Sequence, residues 1–328
     1  MKHKKTLLMV ITFIIFGIIF IFFQDYQKGM DKFVMTNPQK QNQSDAKTPF
    51  LHSEKAQQNI MGQNQLQFSK LYSKNAYLIR LSDGQVLLDQ NSSELMYPAS
   101  LTKIMTAIVA IEQLSDLETF VPLSEKMFHY LYEADAALAG FLPNEKVRAL
   151  DLLYGILLPS GAEASVGIAE YIAGSEAQFV TLMNEKAKQL GLKHTHFTNV
   201  TGLHHDNHYS TTQDIATLLQ YALKNDIFFH IFTSSRHSTK PTNMHADGIT
   251  FYSTMFSKMD NPSFNNGELL GGKTGFTYSA GLCLASLAVI HDEQYILITT
   301  GAKGDSQTEP FHILDALTVY KELEKQLF

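Results

Sequence analysis

The 328-residue sequence predicts an α+β fold, with an antiparallel sheet built from both ends of its folded part and a helical subdomain inserted between them. Three observations carry this. Strand-like apolar runs flank the turn Ser82-Asp83-Gly84-Gln85 and return between residues 269 and 301. The stretch between them is apolar mostly at helical spacing, and the chain closes on an amphipathic segment over 311–327. Strands at both ends with helices between them are most simply packed as one sheet with the helices on one side.

The elements follow in chain order. Residues 7–23 are an almost unbroken apolar run behind Lys2, Lys4 and Lys5. At about 1.5 Å per residue, such a run with its flanks just spans a hydrocarbon core of about 30 Å. The next residues are Gln24, Asp25 and Tyr26, with no small-x-small cleavage pattern. Residues 1–23 are therefore expected to be an uncleaved membrane anchor, with the lysines holding the N-terminus in the cytoplasm and the rest of the chain outside. A signal peptide is the competing reading, and it exports the chain equally. Residues 24–68 are rich in Gln, Asn, Lys and Asp and are broken by Asn37-Pro38 and Thr48-Pro49. They read as a flexible polar linker; a coil of about 45 residues reaches roughly 35–40 Å. A short helix over 56–66 is the alternative.

A single domain is expected over 69–328. Residues 76–81 and 86–89 form a β-hairpin with Asp83-Gly84 at its turn. Residues 100–114 form a helix with Leu101, Ile104, Met105, Ile108, Val109 and Ile111 on its apolar positions. Helices follow over 149–158, 162–173, 176–190 and 212–223, with Thr211-x-x-Asp214 as a capping box for the last. Strands are expected over 269–273, 281–290 and 295–301, the last two joined at His291-Asp292-Glu293, before the final helix. The net charge of −6 excludes a nucleic-acid partner, which needs a basic footprint. One cysteine, Cys283, excludes an internal disulfide and reads as packing in an apolar strand.

Chemistry concentrates in three segments. Ser100-Leu101-Thr102-Lys103 is an S-x-x-K tetrad, as is Ser44-Asp45-Ala46-Lys47 in the linker. Only the first begins a periodic helix. Pro98 is expected to hold the approach extended, and Lys103 falls one turn beyond Ser100 on the same face. A serine nucleophile needs a base within hydrogen-bond reach, and free N–H groups at a helix start favour a developing oxyanion. Lys103 can be that base only if neutral, which takes about three pKa units of lowering by burial and a nearby cation. Gly271-Gly272-Lys273-Thr274-Gly275 supplies that cation on a strand whose glycines imply close backbone approach. Pro159-Ser160-Gly161 is a turn leading into a helix, and offers a second hydroxyl able to relay a proton.

The order S-x-x-K, S-G-x, K-T-G resembles the penicillin-binding proteins and serine β-lactamases. The connecting segments Tyr97-Pro98-Ala99-Ser100, Thr195-His196-Phe197-Thr198-Asn199, Gly202-Leu203, Tyr209-Ser210-Thr211 and Lys273-Thr274-Gly275-Phe276-Thr277 narrow the likeness. They look like the low-molecular-mass serine D-alanyl-D-alanine carboxypeptidases, over roughly residues 70–328. The resemblance implies a β-lactamase/transpeptidase-like catalytic domain with an acyl-enzyme on Ser100, Lys103 as proton acceptor and Ser160 as relay. It also implies that Lys273, Thr274, Gly275 and Phe276 bind the substrate, with the N–H groups of Ser100 and Phe276 as an oxyanion hole. The implied substrates are peptidoglycan stem peptides, β-lactam antibiotics are the implied inhibitors, and no metal or organic cofactor is implied. Ala162 stands where the family usually has Asn, Glu163 where it usually has Asp, and Lys303 is the one cation near a late position that often holds Arg.

Competing chemistries have weaker support. His194, His196, His204, His205 and His208 cluster as a zinc site would, but in a Gly/Asp/Asn loop without a neighbouring Glu, and they read as solvated. A serine β-lactamase needs a deacylating base, and no Glu-x-x-x-Asn segment provides one. Ala162 leaves open a weakly active penicillin-binding or peptidoglycan-binding module, and the single late lysine leaves open a D,D-endopeptidase.

Overall fold

Side chains alternate along the central strands so that both faces of one sheet are buried. The computed structural model describes residues 66–305 and 307–327; the membrane anchor expected over 1–23 and nearly all of the linker expected over 24–68 lie outside them. Strands β1 (Asn75–Arg80) and β2 (Val86–Gln90) form the hairpin expected near the start. Strands β3 (Phe120–Pro122) with β4 (Lys146–Arg148), and β5 (Arg236–Ser238) with β6 (Thr250–Tyr252), make two small ladders. Strands β7 (Ser263–Phe264), β8 (Gly267–Thr277), β9 (Gly281–Ile290) and β10 (Glu293–Ala302) complete the main sheet. Its order is β2-β1-β10-β9-β8-β7, and every pairing is antiparallel. The pairing of β1 with β10, in the register Leu78↔Leu297 and Ile79↔Ile296, joins the two ends of the folded chain.

On one face Ile79, Cys283, Ala285, Leu287, Ile296 and Ile298 meet the helical layer. On the other, Leu78, Leu284, Ala288, Tyr295 and Leu297 pack on the final helix, α8 (Phe311–Leu327), through Ile313, Val319, Tyr320 and Leu323. The helical layer comprises α1 (Thr102–Gln113), α2 (Glu125–Glu133), α3 (Ala149–Leu157), α4 (Ala162–Ala173), α5 (Glu176–Gln189), α6 (Thr212–Ala222) and α7 (Asp226–Phe232). Helix α1 is buried along nearly its whole length, so its first turn is fixed against the sheet and its neighbours together. Among the described residues no helix is long and apolar enough to cross a membrane.

Several local expectations change. The strand expected over 269–273 runs to Thr277, which puts the whole Lys273-Thr274-Gly275 motif inside β8. Helix α2 is absent from the sequence reading because it buries only Met127, Phe128 and Leu131, too few positions to show a period. The approach to Ser100 is not extended: Pro98 is itself helical at φ −74° and ψ −12°. Ala99 follows at φ +47°, in the left-handed region that costs a non-glycine residue about 1–2 kcal/mol. Half of the expected capping box forms. Thr211 accepts from the Asp214 N–H at 3.1 Å, but the Asp214 carboxylate turns away to His194 N–H and Thr195 Oγ1, both at 2.8 Å.

Candidate active site

Ser100 lies in a single 3-10 turn, Ala99–Leu101, that feeds directly into α1. The helical step then brings Lys103 back beneath it, and Lys103 Nζ donates to Ser100 Oγ at 3.2 Å. Lys103 is 2% exposed. Its second partner is the Thr201 carbonyl, at 2.6 Å. With that bond made, the lone pair of a neutral Lys103 can face Ser100. Burial draws Lys103 down to about 7, against the opposing pull of Glu163. The lysine is thus near neutrality in the ordinary working range, as a base requires.

The Ser160 turn presents the matching pair. Lys273, on β8, donates to Ser160 Oγ at 2.8 Å and to the Thr274 carbonyl at 2.8 Å. Lys273 is fully buried, and it sits well below an ordinary lysine first because of burial and then because of the Lys103 charge. The cation expected to lower Lys103 does not do so: burial alone lowers Lys103, and it is Lys273 that the neighbouring charge lowers. Ser160 is held at φ +70°, so two non-glycine residues at the site, Ala99 and Ser160, occupy the left-handed region, as functional turns often do.

Strand β8 passes close to the nucleophile. A methyl group added at Gly275 would lie 3.1 Å from Ser100 N and 3.2 Å from the Ala99 Cβ. That explains a glycine there and brings the Ser100 N–H beside the strand that carries the Phe276 N–H. Thr274 Oγ1 bonds to Thr254 Oγ1 at 2.6 Å, and Thr254 N–H donates to the Leu158 carbonyl beside the Ser160 turn. All seven sequence-expected site residues thus come together: Ser100, Lys103 and Ser160 from the helical layer, Lys273, Thr274, Gly275 and Phe276 from β8. Lys303 is exposed just past β10. Ala162 is buried, and its N–H donates to the Ala137 carbonyl at 2.8 Å.

Three contributors escape sequence reasoning. The Thr201 carbonyl is placed by Asn199, whose Oδ1 accepts from Thr201 N at 3.1 Å and Gly202 N at 2.7 Å. Thr254 lies in an irregular segment far from the motifs. His208, grouped with the solvated histidines, is instead 2% exposed. It meets Thr102 Oγ1 at 2.7 Å and accepts the Thr198 N–H on Nδ1 at 3.1 Å, and burial pushes it down to about 3, so it stays neutral. The signal that could have found it is its place between Tyr209 and the Gly202-Leu203 turn, next to two family segments. His194, His196, His204 and His205 are exposed as expected, and Cys283 is a buried thiol pushed up to about 12.

A three-layer fold with a serine–lysine pair at the edge of its sheet defines the class, a serine protein of β-lactamase/transpeptidase-like architecture. The family model described as D-alanyl-D-alanine carboxypeptidase matches residues 60–304, and the chain belongs to that family. It is 36% identical over 243 residues to D-alanyl-D-alanine carboxypeptidase DacF of Bacillus subtilis, covering 70% of this chain and 57% of that protein. It is 34% identical to DacC of Escherichia coli, covering 70% of this chain and 56% of that one. The chain therefore spans somewhat more than half the length of these relatives. Among solved structures, the Streptomyces K15 DD-transpeptidase in an S216A form superposes with a TM-score of 0.70 at 24% identity, over 77% of this chain and 98% of that one. Penicillin binding protein 6B of Escherichia coli does so with a TM-score of 0.66 at 26% identity, over 79% of each chain.

Proposed function

We propose that this protein is a serine D-alanyl-D-alanine carboxypeptidase that removes the terminal D-Ala from peptidoglycan stem pentapeptides. The observation that carries the reading is the Ser100–Lys103 bond, with a buried lysine drawn to about 7. Ser100 Oγ attacks the carbonyl of the D-Ala–D-Ala bond while neutral Lys103 takes its proton. The oxyanion forms between the N–H groups of Ser100 and Phe276, where pre-placed donors cost no reorganisation. The C–N bond then breaks, and the leaving amine collects a proton through Ser160 and the lysine pair. Water hydrolyses the ester on Ser100 and restores the serine. Lys273 and Thr274 hold the free carboxylate of the substrate, and Gly275 leaves room for it beside Ser100. A β-lactam presents a carboxylate and a strained amide in the same arrangement and would acylate Ser100.

Peptidoglycan stem peptides as substrate favour a catalytic domain outside the cytoplasm. The lysine-flanked run over 7–23 supports a single-pass anchor with the catalytic domain exported. The test is a pentapeptide incubation with mass detection of released D-Ala, alongside labelling by a fluorescent penicillin. Ser100→Ala should abolish both, and Lys103→Ala should slow acylation by at least about 10²-fold, the usual worth of a positioned base. Release from cross-linked muropeptides but not from pentapeptide would make the enzyme an endopeptidase. Labelling with neither release would leave only a penicillin-binding module.

A further inference from the structure

Glu163 is a buried carboxylate that the chemistry above does not use. It stands in the first turn of α4, three residues after Ser160, and has no measurable exposure. Its Oε1 accepts three backbone N–H bonds from one loop: Ala139 at 2.7 Å, Gly140 at 2.9 Å and Phe141 at 3.2 Å. The same loop sends the Ala137 carbonyl to the Ala162 N–H. Its other oxygen, Oε2, has no hydrogen-bond partner among the described residues, and it points towards Gly161, where an added methyl group would lie 3.0 Å from it.

A carboxylate oxygen left unpaired in the interior is expensive unless a charge nearby offsets it. The charges facing this part of the site are both cationic. Lys103 from α1 feels Glu163, and Lys273 from β8, bonded to Ser160 at 2.8 Å, feels Lys103; His208, the remaining titratable group that feels Lys103, is neutral. Glu163 opposes the effect of burial on Lys103, while burial raises Glu163's own carboxyl against the opposing pull of the loop N–H bonds.

We propose that Glu163 is a positioning residue of acylation, tying the 137–141 loop over the Ser160 turn with one oxygen and providing with the other the negative charge against which Lys103 is set. Two buried lysines side by side would otherwise repel each other with no compensating charge. With the carboxylate present, one of them can hold a proton for the substrate while Lys103 exchanges its own. The inference rests on the acyl-enzyme reading above. It adds a residue whose N–H bonds explain the loop and whose bare oxygen those bonds leave unexplained.

Charge and geometry are separable by substitution in the full chain. Glu163→Gln keeps an Oε1 acceptor for the three N–H groups but removes the charge. Glu163→Asp keeps the charge but falls short of the loop by one methylene. Acylation by fluorescent penicillin is followed between pH 5 and 9. Removing the negative charge makes Lys103 lose its proton more easily, so the acid limb of Glu163→Gln should move to lower pH by at least about half a unit, roughly threefold in relative rate on that limb. Glu163→Asp should lower the plateau while leaving the limb in place. A Gln limb that coincides with wild type, or an Asp limb displaced as far as Gln, would overturn the proposal.

Thermal unfolding supplies a readout independent of activity. A double-mutant cycle of Glu163→Gln with Lys103→Met should be non-additive at pH 6, where Lys103 is charged, and closer to additive at pH 9. Additivity at pH 6 would reduce Glu163 to a loop anchor. If Glu163→Gln folds only in the Lys103→Met background, the charge coupling stands; if it fails in both, the charge role falls. A wild-type protein that penicillin does not label would sink the acyl-enzyme reading, while the thermal cycle would still decide the role of Glu163.

Discussion

Gly202 shows how tightly single residues set this site. It lies at φ +83°, and a methyl group there would sit 1.8 Å from the Ala99 carbonyl oxygen and 2.9 Å from Ser100 N. Either the nucleophile's peptide or the 199–203 loop must give way, and the loop carries the Thr201 carbonyl that orients Lys103. Gly202→Ala should therefore slow penicillin acylation by about 10²-fold, the usual effect of a displacement near 1 Å at a reacting centre. It should also lower the melting temperature through strain of about 1–3 kcal/mol. Acylation within a few-fold of wild type would show that the turn is looser than its packing indicates. Residue types announce only part of this arrangement. Ser100 and Lys103 are readable because three positions make one helical turn, and Lys273 because two glycines flank a strand lysine. The Thr201 carbonyl is unreadable, since a backbone oxygen has no residue type and its place depends on the Asn199 side chain. Glu163 lies beside a motif, yet nothing local says that its carboxylate turns to a loop some twenty residues earlier.

The ladder of β5 and β6 is the element that ties the helical layer to β8. His237, on β5, stacks on Tyr154 with ring centres 3.6 Å apart and meets Asp151 at 2.7 Å. Asp151 also takes a two-pronged bond from Arg148, at 2.7 and 3.0 Å. Beyond the strand, Thr242 and His245 bond to the buried Glu145 at 2.5 and 2.9 Å. After β6 the chain delivers Thr254 to the Thr274 hydroxyl. Asp151 is held below the ordinary carboxylate range: burial opposes this, and the bonds from His237 and Arg148 outweigh it. A group whose folded pKa is depressed adds stability that is fully present above its unfolded value, near 3.9, and is lost as pH falls through the folded value. Asp151→Asn leaves the Arg148 guanidinium only the exposed Glu118, at 2.8 Å, and should cost up to about 3–5 kcal/mol, on the order of 10 °C in melting temperature near pH 7. The gap from wild type should narrow below about pH 4; a gap unchanged there would remove the charge from the explanation. The sequence reading contains no β5 or β6, because three-residue strands carry no period and their anchors are long-range side-chain bonds. The helices over 149–157 and 162–173 were legible because each repeats its apolar face over two turns or more.

At the scale of the whole molecule, the sheet closes only when the start of the folded chain meets its end. Leu66 and Phe68 pack in the cluster around α8, and Leu71 is buried there. The N–H groups of Tyr72 and Ser73 both donate to the Asp315 carboxylate, at 2.9 and 2.8 Å. Gln67 exchanges bonds with Gln326 at 3.2 and 2.9 Å, and Ser69 N–H reaches Glu322 at 2.8 Å. The family match begins at residue 60, and so does the compact unit that contains every described residue. A chain beginning at Ile60 should therefore fold, take penicillin at the wild-type rate and stay out of the membrane fraction, where the anchor proposed over 1–23 should hold the full chain. A chain beginning at Asn75 keeps all of β1 but loses the partners of Asp315, which is 2% exposed. A buried carboxylate left without its donors costs at least the roughly 1–3 kcal/mol of any unsatisfied buried polar group, and the apolar cover of α8 is lost with it. That shorter chain should melt well below the first, with penicillin labelling falling in step as α8 loosens from β9 and β10. Equal melting temperatures for the two would mean that residues 66–74 only decorate the sheet. A full chain that stays out of the membrane fraction would remove the anchor over 1–23 while leaving the folded unit untouched.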